Sequence, residues 1–200
     1  IKDGEVIIWT TTPWTIPANR ALAYNDSLNY LLIEIKDHKV FNNKKIVIAE
    51  ALLESVIKDC EIKDFKKINN FKGKNFKGTV CKHPFFDLGY DYDIPMLSAR
   101  FVTTEQGTGI VHCAPSHGPD DFNLCLNNGI KAIETVDGDG KYTNYVKLFE
   151  GTHIFKANPI IIEKLKEQKK LLSNGELVHS YPHSWRSKAP LVHRATPQWF

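Results

Sequence analysis

Short strand-like segments outnumber helical ones in this chain, and the two kinds do not alternate. Six runs rich in β-branched and aromatic residues, bounded by turn residues, are typical of strands, namely EVIIWT, RALAY, NYLLIEI, KKIVIA, GTVCKHPF and TGIVHC. A doubly wound parallel sheet needs regular alternation of strand and helix, so that architecture is disfavoured. We expect a mixed α/β, strand-rich fold with a partly closed β-barrel-like core and peripheral helices.

Three segments carry helical signals. ALLESVIKDC spaces its apolar residues three and four apart. GPDDFNLCLNNG is predicted to form a short helix opened by Pro119 and closed by Gly129. NPIIIEKLKEQKKLLSNG is predicted to form a longer one, with Asn158 as the cap, Pro159 at the first helical position and Gly175 just beyond the end.

The composition permits a packed core and indicates no particular partner. Of the 200 residues, 42% are hydrophobic, which is enough for one globular domain. The net charge of +3, from 26 basic and 23 acidic residues, allows a nucleic-acid partner without requiring one. The lysine-rich stretch DFKKINNFKGKNFKG is more typical of solvated surface than of a nucleic-acid patch.

The cysteines and the apolar runs suggest where the protein works. Four cysteines form no CxxC pair, so we expect free thiols in a reducing compartment and predict a cytoplasmic location. No apolar run is long enough to span a membrane, and no membrane partner is expected. The chain begins without Met and stops within TPQWF, and we expect it to be a piece of a longer protein.

The stretch WTTTPWT, residues 9–15, combines four threonines with two tryptophans. Three consecutive β-branched residues favour an extended chain, and the proline belongs at a strand end or edge. The residues alone therefore predict that EVIIWTTT is a strand that ends in a turn. They do not explain why a strand end should carry so many hydroxyl groups beside two aromatic rings.

The segment GTGIVHCAPSHGPDD predicts a strand, a loop and a helix in succession. The strand ends at His112, and Asp120 and Asp121 fall in the first turn of the helix. Such a transition brings a histidine and an acid into one cleft. Acids at a helix start also have a structural explanation, because carboxylates favour its positive end.

Other kinds of site find little support in the sequence. His112 and His117 lie five residues apart with no cysteine pair beside them, so no metal site is predicted. There is no GxSxG for a serine nucleophile, no GxGxxG and no phosphate loop ending in GK[ST]. From spacing alone the sequence predicts a polar pocket of Thr, His and Asp.

Three stretches, in order, resemble the editing domain of isoleucyl-tRNA synthetases, which are class I enzymes. They are WTTTPWTIPANRALAY, GTGIVHCAPSHGPDDF and SYPHSWRSKAPLVHRATPQWF, and the resemblance runs from residue 5 to residue 200. HPF and GTHIFKAN add to it. At the position of His112 the valyl enzymes usually carry Lys and the leucyl enzymes an apolar residue. The histidine therefore makes this chain resemble the isoleucyl enzymes more than the other two types. Ser184 departs from the Cys that relatives often have, at no expected cost to editing.

The resemblance implies a function and a division of the chain. It implies an editing domain at residues 1–178 and, at 179–200, a segment returning to the catalytic Rossmann body. This domain would hydrolyse valyl-tRNA(Ile) or valyl-adenylate, with the acceptor end of tRNA(Ile) and the catalytic body as partners. The full-length enzyme would use ATP and Mg to ligate isoleucine. The chain lacks HIGH and KMSKS, so we expect hydrolysis without ligation and no cofactor.

The resemblance also implies roles for the acid and for the selectivity wall. Asp121, and not its neighbour Asp120, corresponds to the catalytic acid that holds the substrate ammonium. His112 and Thr15 correspond to positions that face the substrate side chain. They are expected to stop the additional methylene of isoleucine by steric overlap.

The remaining candidates are expected to contact the ester and the nucleoside. Thr10, Thr11 and Thr12 would hold the ester, the ribose hydroxyls and an attacking water. Strand alternation puts Thr10 and Thr12 on one face, but the following proline disturbs the turn, so Thr11 stays a catalytic candidate. Trp9 and Asn19 resemble positions that line the adenosine region.

Two rival interpretations stay open from the sequence. One is a valyl-type editing domain that removes threonine, against which His112 argues. The other is a non-catalytic tRNA-binding module that uses the lysine-rich lobe. The latter predicts RNA binding without hydrolysis.

Overall fold

The computed structural model describes residues 4–176, 181–196 and 198. The predicted boundary between 178 and 179 lies outside the described residues. The eight strands within them are β1 Glu5–Val6, β2 Ala21–Tyr24, β3 Asn29–Asp37, β4 Lys45–Ala49, β5 Asp64–Lys72, β6 Val80–Lys82, β7 Asp93–Ser98 and β8 Val111–Cys113. The α-helices described are α1 Leu53–Asp59, α2 Pro119–Asn127 and α3 Ile154–Glu167. Short 3-10 helices cover Pro13–Ala18, Glu50–Leu52, Gly73–Phe76, Phe86–Leu88 and Lys147–Phe149.

The strands form two mixed four-stranded sheets. The first has the order β1-β4-β3-β5, and the second has the order β6-β7-β2-β8. Each contains one parallel pair, β1 with β4 and β2 with β7, among antiparallel neighbours. The predicted strand-rich mixed α/β fold with peripheral helices is confirmed. Within the described ranges the two sheets do not close into a barrel.

Three hydrophobic clusters hold these elements together. The largest joins the first sheet to α1 and includes the fully buried Tyr30, Ile33 and Ile46. A second cluster packs α3 against the 3-10 helix Pro13–Ala18, through Ile161 and Trp14 among others. A third, small cluster joins β2 and β8 to α2. The last two clusters support the segments that bear the candidate site residues.

Strand β1 is much shorter than EVIIWTTT predicted. Its pairing with β4 ends at Val6, opposite Val47. Further along, the Thr108 carbonyl accepts from the Ala49 N–H at 2.8 Å, and the Thr108 hydroxyl donates to the Ile7 carbonyl at 2.6 Å. The loop around Thr108 therefore occupies the positions that a longer β1 would use, and the threonine run leaves the sheet.

Two strands went unpredicted. β7 follows a turn, and β5 occupies most of the lysine-rich stretch that we interpret as solvated surface. β5 is an edge strand paired only with β3 within the described part of the chain, and most of its side chains are exposed. Its pattern lacks apolar alternation because only Phe65 and Phe71 are half-buried, so neither face of the strand covers a continuous core.

The helices agree with the sequence except at the ends of the last one. α1 and α2 lie where predicted, and Gly129 follows α2 with a positive φ of 75°. α3 begins at Ile154, with His153 as the cap accepting from the Phe155 N–H. The predicted cap Asn158 lies inside the helix, and its side chain accepts from the Trp14 N–H at 2.9 Å. The helix also ends at Glu167, well before Gly175.

Candidate active site

One cleft of about 480 Å³ gathers nearly all the predicted site residues. Its walls come from four parts of the chain, which are Trp9–Thr12 with Trp14 and Thr15, the loop from Phe101 to His112, the start of α2, and residues between 181 and 193. The predicted residues Trp9, Thr10, Thr11, Thr12, Thr15, His112 and Asp121 all line it. Asn19 does not line the cleft; it is buried, and its side-chain oxygen has no described hydrogen-bond partner.

The threonine run forms a tight turn on one wall. The Thr12 N–H donates to the Thr10 hydroxyl at 3.0 Å, and the Thr12 carbonyl accepts from both the N–H and the hydroxyl of Thr15. Thr10, Thr11 and Thr12 all line the cleft, where Thr11 is exposed and the other two are half-buried. Three hydroxyl groups at different depths therefore face the same space.

The backbone of this wall is fixed from behind. The Trp14 N–H donates to Asn158 on α3, and the Trp14 carbonyl accepts from the buried Tyr142 hydroxyl. The Trp14 side chain is only 5% exposed. Because Asn158 and Tyr142 hold these two backbone groups, the turn cannot shift without breaking hydrogen bonds to α3 and to the second cluster.

His112 and Thr15 form a buried pair at the back of the cleft. The His112 Nε2 lies 3.1 Å from the Thr15 hydroxyl, which already donates its hydrogen to the Thr12 carbonyl. The histidine must therefore donate through Nε2–H. Its Nδ1 is then an acceptor, and it has no described partner. Burial lowers the pKa of His112 to about 4, with a smaller contribution from His117, so the ring is neutral at pH 7.

Asp121 supplies the negative charge of the cleft. Its Oδ2 accepts from the Ala114 N–H at 2.9 Å, which orients the carboxylate from the first turn of α2. Burial raises its pKa to about 6, against the lowering effect of that hydrogen bond. Asp120 is exposed, whereas Asp121 is half-buried. The two adjacent acids therefore differ in environment.

The GTG motif shapes the floor beside Trp9. Gly109 has a φ of +76°, and a Cβ there would lie 2.3 Å from the Ala49 Cβ. Gly107 has a φ of +82° and lies against Trp9, whose indole is 42% exposed on the cleft rim. An exposed ring at the mouth of a polar cleft suits a stacked base.

Several lining residues were not singled out from the sequence as site residues. Trp14 and Thr108 lie within the quoted motifs, but the residues alone gave no reason to prefer them. His117 was weighed only as a metal ligand, and its bonds run instead to the His193 carbonyl and the Thr135 hydroxyl. Leu191–His193 lie more than 60 residues beyond α2 in the chain, and only their place in the fold reveals them.

Two features are absent from the described residues. Residues 4–176, 181–196 and 198 contain no group of three or more His, Cys, Asp or Glu side chains placed to hold a metal ion. None of the helices among them is long and apolar enough to cross a membrane.

The whole chain is similar in sequence to known proteins. It is 82% identical over 200 residues to isoleucine–tRNA ligase of Pelagibacter ubique (strain HTCC1062), and 44% identical over 215 residues to that of Gluconobacter oxydans (strain 621H). The chain spans 22% of the length of each of these relatives. No family model matches it.

Solved structures provide relatives of the fold. The chain aligns with GlLeuRS-CP1 at a TM-score of 0.64 and 13% identity, over 92% of this chain and 87% of that one. It aligns with the Plasmodium knowlesi cytosolic leucyl-tRNA synthetase editing domain at 0.59 and 12% identity, over 82% of each.

The chain has the fold of an aminoacyl-tRNA synthetase editing domain. The sequence matches to isoleucine–tRNA ligases cover this chain from its first residue to its last, and they identify the type of synthetase. It belongs to the isoleucine–tRNA ligase family, as a segment of such an enzyme. The resemblance derived from the three motifs is thereby confirmed.

Proposed function

We propose that this domain hydrolyses valyl-tRNA(Ile) and valyl-adenylate in the cleft described above. One methylene is worth only about 1–3 kcal/mol in a binding pocket, a general limit that isoleucyl-tRNA synthetase itself illustrates. A second site that destroys the smaller product supplies the missing selectivity. The partners that this function requires are the acceptor end of tRNA(Ile) and the catalytic body of the full-length enzyme.

The observation that carries the proposal is the buried His112–Thr15 pair. A neutral ring at 9% exposure, held at 3.1 Å from the Thr15 hydroxyl, is a rigid obstacle and not a charge. A packed wall rejects a larger side chain by steric overlap, at typical costs of about 1–3 kcal/mol. This pair therefore fits a sieve that admits valine and excludes isoleucine.

Asp121 gives the cleft its preference for an aminoacyl group. A free α-ammonium would pair with its half-buried carboxylate by a charge-assisted hydrogen bond. The pKa near 6 leaves this carboxylate ionised at pH 7.5, and a bound cation would lower that pKa further. Trp9 at the rim would stack on the terminal adenine.

Positioning, and not a side-chain base, accounts best for hydrolysis. His112 has a pKa of about 4 and is thus a weak base, and Asp121 is assigned to the ammonium. The hydroxyls of Thr10, Thr11 and Thr12 can hold a water molecule and the ester oxygens around one point. A ribose hydroxyl of the tRNA would assist the proton transfer. The chemistry would rest on preorganised hydrogen bonds.

Neighbouring aspartates provide a matched test. Asp121→Ala should reduce the kcat/KM for deacylation of valyl-tRNA(Ile) by about 100-fold or more, since a half-buried charge-assisted contact is worth about 3 kcal/mol. Asp120→Ala, with its exposed side chain, should stay within about twofold of the unmodified domain. Circular dichroism would establish that both variants fold. Equal losses in the two variants, or no loss in either, would contradict the proposed role of Asp121.

A second candidate function rests on β5. The segment 63–77 contains six lysines and a single acid, and Lys66, Lys67 and Lys72 are exposed on an edge strand. An exposed cationic strand attracts a phosphate backbone. A non-catalytic tRNA-binding module would use this surface alone.

Measurements of tRNA binding and of valyl-tRNA(Ile) hydrolysis distinguish the editing function from the tRNA-binding module. In the binding-module case, changing Lys66 and Lys67 to Gln weakens tRNA binding, and the unmodified domain releases no valine from valyl-tRNA(Ile). In the editing case the domain releases valine, while isoleucyl-tRNA(Ile) stays intact. Filter binding and acid-precipitable counts on the same preparation measure both properties.

A further inference from the structure

A segment late in the chain closes one side of the cleft. Tyr181, Pro182 and Leu191–His193 line it together with the threonine run. Residues 182–191 form a hairpin, in which the Ser184 N–H donates to the Ala189 carbonyl and the Leu191 N–H donates to the Pro182 carbonyl. This returning segment, defined here as residues 181–196, therefore contributes surface to the site although it lies about 60 residues beyond α2 in the chain.

Three contacts fasten the returning segment to the domain. The His117 Nδ1 lies 3.0 Å from the His193 carbonyl, and the Ala195 N–H donates to the Ser116 carbonyl at 2.9 Å. The Arg194 guanidinium pairs with Glu134 at 2.7 Å. All three fall within residues 193–195, next to the portion that lines the cleft.

His117 is the most specifically arranged of these anchors. A carbonyl can only accept, so Nδ1 carries the hydrogen, and in the neutral ring Nε2 accepts from the Thr135 hydroxyl at 2.7 Å. Burial lowers the pKa of His117, which favours that neutral form. The ring also meets Trp14 edge-on, with centroids 4.7 Å apart. Both nitrogens of the His117 ring are therefore hydrogen-bonded, and the ring also packs against Trp14.

We propose that the returning segment is a substrate-binding wall of the editing cleft, and that His117 is the positioning residue that holds it there. The proposal rests on the proposed function, because it assumes that the cleft binds an aminoacyl nucleoside. His117 acts through the His193 carbonyl. Leu191 and Val192 supply apolar surface, and their loss would weaken substrate binding without removing any group assigned to the chemistry.

Two substitutions at one position isolate the hydrogen bond from the packing. His117→Phe keeps a ring against Trp14 but cannot donate to the His193 carbonyl. His117→Asn replaces the Nδ1–H by an amide N–H at nearly the same distance from the backbone, and should restore that donor. Arg186→Ala is the matched control, because Arg186 lies on the same segment and packs over the exposed Trp185.

The primary measurement is binding of a non-hydrolysable valyl-adenosine amide by calorimetry, which does not depend on turnover. We expect His117→Phe to weaken binding about tenfold, His117→Asn to recover most of the loss, and Arg186→Ala to have no effect. Hydrogen exchange of the Ala195 amide should accelerate only in the Phe variant. In deacylation of valyl-tRNA(Ile), the Phe variant should raise KM and leave kcat within about twofold.

Other outcomes would overturn the proposal. Faster exchange at Ala195 with unchanged analogue binding would mean that the returning segment is fastened but contacts no substrate. A fall in kcat at constant KM would place His117 in the chemistry. Failure of the proposed function looks different, because the unmodified domain would then neither bind the analogue nor release valine.

Discussion

Truncation of His112 tests whether its bulk or its proton matters. In His112→Ala the imidazole at the back of the cleft is replaced by a methyl group, which opens room for more than one methylene. The Thr15 hydroxyl keeps its bond to the Thr12 carbonyl, so the turn that carries the threonines stays in place. The substitution therefore enlarges the pocket without dismantling the opposite wall.

The expected size of the effect follows from the packing. Isoleucine no longer meets an overlap worth about 1–3 kcal/mol, and its additional methylene gains about 0.8 kcal/mol by burial. The sum of about 2–4 kcal/mol corresponds to a rise of roughly 30-fold to 1,000-fold in kcat/KM for isoleucyl-tRNA(Ile). Valyl-tRNA(Ile) hydrolysis should be kept or moderately reduced, because valine fits the larger pocket less closely.

The assay compares both substrates on one preparation, by release of labelled amino acid from tRNA. His112→Gln is the control, since it keeps bulk and an N–H toward Thr15 without an imidazole, and it should still reject isoleucine. A histidine acting as the base would give the opposite pattern, in which both variants lose valyl hydrolysis. The steric reasoning is refuted if isoleucyl-tRNA(Ile) stays intact while valyl hydrolysis collapses in His112→Ala.

Three further predictions concern stability and activity. Burial raises the pKa of Asp121 from its ordinary value of 3.8 to about 6 in the fold, so this group's stabilising contribution is lost as the pH rises from about 4 to 6. Asp121→Asn should therefore melt a few degrees higher at pH 7 (on the order of 1 kcal/mol) and equally near pH 4, and an unchanged melting temperature at pH 7 would contradict this. Gly109→Ala should lower the melting temperature by several degrees, because its Cβ would lie 2.3 Å from that of Ala49 at a φ of +76°, whereas Gly138→Ala meets nothing within 4 Å and should be neutral. The chain lacks HIGH and KMSKS, so incubation with ATP, isoleucine and tRNA should charge no tRNA, and isoleucyl-tRNA above background would disprove our interpretation.

The sequence predicted the elements whose signals are local. α2 was predictable because Pro119 and Gly129 mark its ends chemically, and β3 and β4 because their apolar runs are buried against the core. The motifs around Thr12 and His112 identified most of the cleft. In each case the deciding information lies within a dozen consecutive residues.

The remaining features depend on partners that are distant in the chain. β1 stops early because Thr108 takes its hydrogen-bonding positions, and Asn158 binds the Trp14 backbone instead of capping a helix. The returning segment lines the cleft through contacts with His117. No local pattern encodes these pairings, and tertiary contacts therefore overrode the caps and propensities that the sequence offered.

The distance along the chain between the walls of the cleft also bears on how the domain folds. The Thr15–His112 bond joins residues 97 apart, and closing such a loop costs about 4 kcal/mol in chain entropy from its length-dependent term alone. Contacts of that range are expected to form after the local hairpin of β3 and β4. Substitutions at the site should therefore change the unfolding rate more than the folding rate. On the ribosome, a growing chain would have no complete editing cleft until the residues that follow His193 had emerged.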